Sequence, residues 1–189
     1  MKKLSDIYAI KIIFFITACY VGLWAIRIPT IKDQLQTDYV GVGYIMLSFA
    51  IGSIFAMIFA NTLILKTSTK SIITFTLFAE GCLWLPVPFI QELWIFMMFS
   101  FIFGMSYGAF EIACNVYASN LEVREKKSMM SGFHAFWSLG VLFGSLITSI
   151  LLEWNYSFIF NILIYVIILL PLSMYFVICL ENQSKIKSE

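Results

Sequence analysis

Residues 103–144 read FGMSYGAFEIACNVYASNLEVREKKSMMSGFHAFWSLGVLFG, and the architecture follows from this stretch. It leaves one apolar segment, crosses charged residues at 122–127 and enters a second apolar segment at 129–131. In the first segment Gly104, Gly108, Glu111 and Asn115 succeed one another at intervals of four, three and four. A helix turns once in about 3.6 residues, so these four share one stripe. Glycines at that spacing let a neighbouring backbone come close. The carboxyl and the amide then face the same side, where contact with lipid is costly, so the stripe should meet a partner helix or a wet cavity.

The composition agrees with a membrane setting. Of 189 residues, 61% are hydrophobic and 12% charged, and the mean hydropathy is +0.91. An ordinary soluble domain carries about 25% charged residues. Six apolar segments, at about 7–28, 42–65, 71–90, 93–118, 131–152 and 157–180, are each long enough to cross a hydrocarbon layer of about 30 Å. The expectation is an all-α polytopic protein with one six-helix domain over 1–180 and a hydrophilic tail at 181–189. Lys2 and Lys3 precede the first segment as they would a signal peptide, but the segment is long and lacks a small-residue cleavage site, so it reads as an uncleaved span.

Orientation follows from the basic residues. Lys2, Lys3, Lys66, Lys70, Arg124, Lys126, Lys127, Lys185 and Lys187 fall on one side, against Arg27 and Lys32 on the other. Nine against two places both termini in the cytoplasm. Trp24, Trp84, Trp94 and Trp154 lie toward the opposite ends of their spans, where an interfacial aromatic belt is expected. Pro29 is expected to stop the first helix. Arg27, just before it, reads as a charge that snorkels to the interface or as part of an outward-facing gate.

Glu80 differs, because it lies near the middle of the third span, where an acid must be protonated, paired or wet. It is either functional or a structural hydrogen-bonding group. His134, the single histidine, enters the fifth span about one turn from its start and could meet Glu111 if spans four and five are neighbours; the plainer role is a cap or a loop tether. Gly140 and Gly144, four residues apart, form a second helix-packing face. Cys19, Cys82, Cys114 and Cys179 sit in apolar runs without metal-ligand spacing and read as small buried hydrophobes. No phosphate-binding loop, dinucleotide fingerprint, metalloprotease helix or nucleophile elbow occurs, and no basic cluster suits nucleic acid. The sequence therefore predicts no enzyme, no metal and no cofactor.

Three stretches carry a resemblance. Residues 25–32, AIRIPTIK, with Gly43 downstream, resemble the end of the first helix and its loop in major facilitator superfamily transporters. Gly104-xxx-Gly108-xx-Glu111-xxx-Asn115 resembles the fourth helix of the fucose-permease-like branch, where a membrane-embedded glutamate serves proton-coupled uptake. Met130-Ser131-Gly132-Phe133-His134, with Ser138, Leu139, Gly140 and Gly144, resembles the start of the fifth helix in bacterial inner-membrane relatives. The resemblance covers nearly the whole chain as the N-terminal six-helix half of such a transporter. It implies proton symport of a small polar solute, with a sugar as first guess, through Glu111 as proton carrier, Asn115 as hydrogen-bond donor and His134 as partner.

The chain also departs from the family pattern. Residues 61–70 keep the basic residues Lys66 and Lys70 of the family's gate loop, but Leu65 stands where its aspartate belongs and both glycines are missing. Only one six-helix half is present, so a separately encoded second half or a homodimer partner is expected to cover the polar stripe. A non-transporting remnant or scaffold subunit is the alternative.

Overall fold

The computed structural model describes residues 2–182, without the side chains of residues 2–5, 61 and 65. Lys185 and Lys187 and nearly all of the expected tail lie outside the described residues. Six helices account for most of the described residues: α1 Lys2–Gln34, α2 Tyr39–Lys66, α3 Thr69–Trp84, α4 Leu93–Glu125, α5 Met130–Glu153 and α6 Phe158–Cys179. A single 3₁₀ turn at Val87–Phe89 follows α3. Five of these helices, and α3 taken together with the 3₁₀ turn as Thr69–Phe89, are long and apolar enough to cross a membrane, and no strand occurs among the described residues.

Helix starts are set by side chains that satisfy free backbone N–H groups. Asp38 accepts from the Gly41 N–H at 2.9 Å, Ser68 from Ser71 at 3.1 Å and Ser157 from Phe160 at 3.2 Å. Glu122 reaches across the loop and accepts from the N–H groups of Met129 and Met130, capping α5 with a carboxylate. This joins the last turn of α4 to the first of α5.

Two helices run further than hydropathy indicates. α4 continues beyond its apolar part to Glu125 and ends where Lys126 turns left-handed, with φ of 52°. Hydropathy marks the end of the apolar surface, whereas the backbone hydrogen bonds of a helix continue into water. α1 does not stop at Pro29, as the sequence suggests, but continues to Gln34. Tertiary contacts hold the extra turn: Ile31 and Leu35 are buried, and the Gln34 amide donates to the carbonyls of Val87 and Ile90 at 3.0 and 2.6 Å. α3 is shorter than its apolar run and gives way at Pro86.

α1 packs along α5 and α2 along α4; α3 lies on α4, α6 lies on α1, and α3 and α6 touch each other. Exchanging α1 with α4, α2 with α5 and α3 with α6 returns the same set of pairs. Because α1 and α4 run in opposite directions through the bundle, the molecule consists of two inverted three-helix units. Both long pairs are closed by glycine. A Cβ on Gly104 or Gly108 would fall on the backbone of Phe49 or Ser53 in α2, and one on Gly52 would fall on Phe101 in α4. In the other pair Gly140 and Gly144 meet the backbones of Phe15 and Cys19, and Gly22 meets Val141 and Ser145. Backbones in contact gain dispersion energy without side-chain entropy loss, which is how helices associate where burial from water offers no driving force.

Each end of the bundle is tied by polar groups. At the end carrying the termini, buried Asp6 of α1 pairs with the Arg124 guanidinium of α4 at 3.0 Å and accepts from the Glu181 N–H at 3.0 Å. Arg124 also reaches the Glu181 carboxylate at 3.1 Å. Lys70 donates to the carbonyls of Ile178 and Leu180 at the C-terminus of α6, where a cation is favoured by the helix dipole. At the far end Arg27 donates to Asn161 Oδ1 at 3.0 Å and to the Tyr156 carbonyl at 3.2 Å, joining α1 to the start of α6.

Candidate functional site

The two glycine-closed pairs touch each other only sparingly, α1 meeting α2 and α4 at few points. A cleft runs between them and holds two cavities at different depths, with α3 contributing to one of them.

The cavity nearer the terminal end has a volume of about 230 Å³ and is lined by Phe14 of α1, Tyr107, Phe110, Glu111 and Asn115 of α4, and His134 and Trp137 of α5. The four-residue step from Glu111 to Asn115 puts the carboxyl and the amide one above the other on α4. His134 comes from the first turn of α5, and its ring meets the edge of Phe14 at 5.8 Å between centroids. Glu111 and Asn115 are half-buried and His134 is exposed, so all three combine a protein wall with access to solvent. The structure thus brings together three residues that the sequence places on two separate spans. Chemically they supply a carboxyl, an amide able to orient it or a ligand, and an imidazole.

The second cavity, of about 450 Å³, lies toward the far end. α1 contributes Tyr20 and Trp24, α2 Met46 and Phe49, and α3 Glu80 and Trp84; α4 supplies Phe96, Phe99, Ser100 and Phe103. Tyr107 and Trp137 line both cavities and separate them. Glu80 is 5% exposed. No hydrogen bond or ion pair joins it to another described residue, and no Lys, Arg or His lines this cavity. Trp84, one turn on, is the hub of the wall: it stacks on Tyr20 at 5.9 Å and meets Trp24 and Phe103 edge-on at 6.2 and 5.5 Å. Its indole N–H is buried without a partner among the described residues.

The remaining sequence candidates lie elsewhere. Gly104, Gly108, Gly140 and Gly144 sit in the helix seams and position the walls. Arg27 does not snorkel: it is 2% exposed, held by Asn161 and Tyr156, with the Phe158 ring 5.4 Å away. Lys70 serves as a helix-end clamp, and Lys66 is exposed at the end of α2. Of the four tryptophans expected in a belt, Trp94 and Trp154 are exposed at 74% and 67%, but Trp84 is buried at 2% and Trp24 half-buried. These last two turn inward to the cavity because α3 and α1 face the cleft there. The sequence reading missed Tyr107 and Trp137 altogether, although Tyr107 stands one turn before Glu111 and Trp137 one turn after His134. Asp6 was likewise overlooked as the buried partner of Arg124.

Comparison with known proteins supplies the family. An uncharacterized MFS-type transporter from Yersinia pestis is 28% identical over 143 residues, covering 75% of this chain and 37% of that protein. An uncharacterized transporter from Sinorhizobium fredii is 28% identical over 141 residues, covering 70% and 35%. The chain spans a little over a third of the length of these relatives. No solved structure matches. The sequence profile of the Major Facilitator Superfamily matches residues 11–189, and with six apolar helices in two inverted units around a cleft, the chain belongs to that superfamily of membrane transporters.

Proposed function

We propose that this six-helix unit is one lobe of a proton-coupled solute carrier, with Glu111 as its proton-binding group, Asn115 orienting it and His134 exchanging protons with solvent. The observation that carries the reading is the convergence of these three side chains in one cavity between α1, α4 and α5. A half-buried carboxyl that can be dried from one side and wetted from the other is suited to taking a proton on one face of a membrane and releasing it on the other. The basic residues support a bacterial inner-membrane location with both termini cytoplasmic. In that orientation the Glu111 cavity lies on the cytoplasmic side and the Glu80 cavity on the outer side. A second six-helix lobe, or a second copy of this chain, covers the cleft and keeps its polar groups from lipid.

The likeness to the fucose-permease branch supports a small polar solute, with a sugar as the first class to test. A scaffold role without transport draws support from the missing gate aspartate and from Lys70, which clamps α6 in this structure. The two readings separate in proteoliposomes holding this chain with and without a second six-helix lobe. A panel of labelled monosaccharides and organic ions should show at least one that accumulates under an inward proton gradient. Glu111→Gln keeps the shape but cannot titrate; it should insert and fold, lose accumulation and retain exchange. Full accumulation by Glu111→Gln would remove Glu111 from the mechanism.

A further inference from the structure

The cavity above Tyr107 and Trp137 is not needed for proton binding, yet it is the larger of the two and is lined by more aromatic rings. Its volume of about 450 Å³ falls within the range of small-molecule sites, about 300–1,000 Å³. It contains a single carboxyl, Glu80, buried and unpaired, and its walls present the rings of Trp24, Trp84, Phe103, Tyr107 and Trp137. The ring faces carry the negative lobe of the aromatic quadrupole and favour cations over anions and neutral polar groups. An anion would meet both those faces and Glu80. A sugar would bring several hydroxyls, for which the cavity offers few partners: Ser100, Tyr107 and the Trp84 N–H beside Glu80, since the Tyr20 hydroxyl already donates to the Tyr165 carbonyl. Hydroxyls left without partners in a dry site weigh against binding.

We infer that this cavity binds an organic monocation with an apolar or aromatic body, its positive charge placed between Glu80 and the half-buried rings of Trp24, Phe103, Tyr107 and Trp137. The incoming cation supplies the counter-charge that no protein residue in the cavity supplies, and its hydrocarbon body fills the aromatic walls. This rests on reading the chain as a lobe of a solute carrier, and it names the class of solute. It also separates two jobs by position, with the ligand's charge read at Glu80 and the proton handled at Glu111.

The test is a binding measurement on the full chain in detergent or nanodiscs, where transport is not required. Trp24, Trp84 and Trp137 line the cavity, so ligand entry should quench intrinsic fluorescence. Titration with benzyltrimethylammonium should give saturable quenching, whereas neopentylbenzene, the same shape without the charge, should bind at least tenfold more weakly. Glu80→Gln should weaken the cation at least tenfold and leave neopentylbenzene unchanged, with helix content by circular dichroism matching the parent. Trp84→Phe, which keeps a ring face but removes the N–H, should hold cation affinity within about threefold. Equal binding of the cation and its neutral twin to the parent protein overturns the inference, and that comparison stands even if Glu80→Gln fails to fold. Undiminished cation binding in Glu80→Gln also overturns it, as does quenching by a monosaccharide in place of the cation. Gly43→Ala, where an added Cβ meets nothing within 4 Å, should bind benzyltrimethylammonium as the parent does. Cation binding without proton-driven accumulation would sink the carrier reading alone; accumulation of a sugar without cation binding would sink the substrate class alone.

Discussion

The two cavities hold the same acid in opposite settings. Glu80 is buried among rings, with no basic residue in its cavity and no hydrogen bond to another described residue, whereas Glu111 is half-buried beside an amide and an imidazole. The Glu111 carboxyl shares its cavity with side chains able to hydrogen-bond to it. A carboxyl enclosed by hydrocarbon has its charge accommodated only by something that enters. On the proposed reading, one side-chain type serves two chemistries, selected by what the neighbouring helices bring to it. The difference lies in depth along the cleft: α4 borders both cavities, and Tyr107 with Trp137 sets the boundary between them.

The largest effect should come from breaking the frame that both cavities share. Gly108→Leu would drive a branched side chain into the Ser53 backbone on α2. Overpacking in a tight core costs about 1–3 kcal/mol, occasionally more, and here the obstacle is backbone, so the upper part of that range applies. Thermal unfolding in detergent should shift down sharply, and cation binding and proton-driven uptake should be lost together. Survival of either activity would mean that its cavity does not depend on the α2–α4 seam.

Removing the partition comes next. Trp137→Ala takes away a half-buried ring that lines both cavities, and stability should fall by about 2 kcal/mol, below the cost of truncating a fully buried tryptophan. Residues with no shared partner combine additively, whereas those in one cavity do not. In the parent, the effects of Glu80→Gln and Glu111→Gln on uptake should be separable; in Trp137→Ala they should become strongly non-additive. A double-mutant cycle of uptake rates in both backgrounds makes that comparison, and identical coupling in the two would show that the partition is not functional.

His134→Gln should have a smaller effect. Losing the imidazole should slow proton-driven uptake about threefold, since a glutamine side chain does not relay protons as an imidazole does, and leave benzyltrimethylammonium binding unchanged. A change in cation affinity would place His134 within reach of the upper cavity. The smallest effect belongs to Gly43→Ala: a Cβ there meets nothing within 4 Å, so stability should stay within about 0.5 kcal/mol of the parent. That variant is the control for the seam glycines.

The sequence alone determined the six spans, the stripe through Gly104, Gly108, Glu111 and Asn115, and the packing face at Gly140 and Gly144. These are local properties: hydropathy over about 20 residues and a repeat of about 3.6 residues survive in any fold that makes a helix. The family likeness was legible for the same reason, since its motifs lie within single helices. Only the tertiary structure decided which helices pair, which tryptophans turn inward and which glutamate is left alone. Trp84 and Trp94 look alike to any hydropathy scale, yet one is 2% and the other 74% exposed, because lipid and a ring-walled cavity are both apolar surroundings. The same limit hid the Arg27–Asn161 bond, which spans 134 residues, and the Asp6–Arg124 pair, which spans 118. Such contacts depend on how helices far apart in the chain come together, and nothing in the residues next to either partner encodes them.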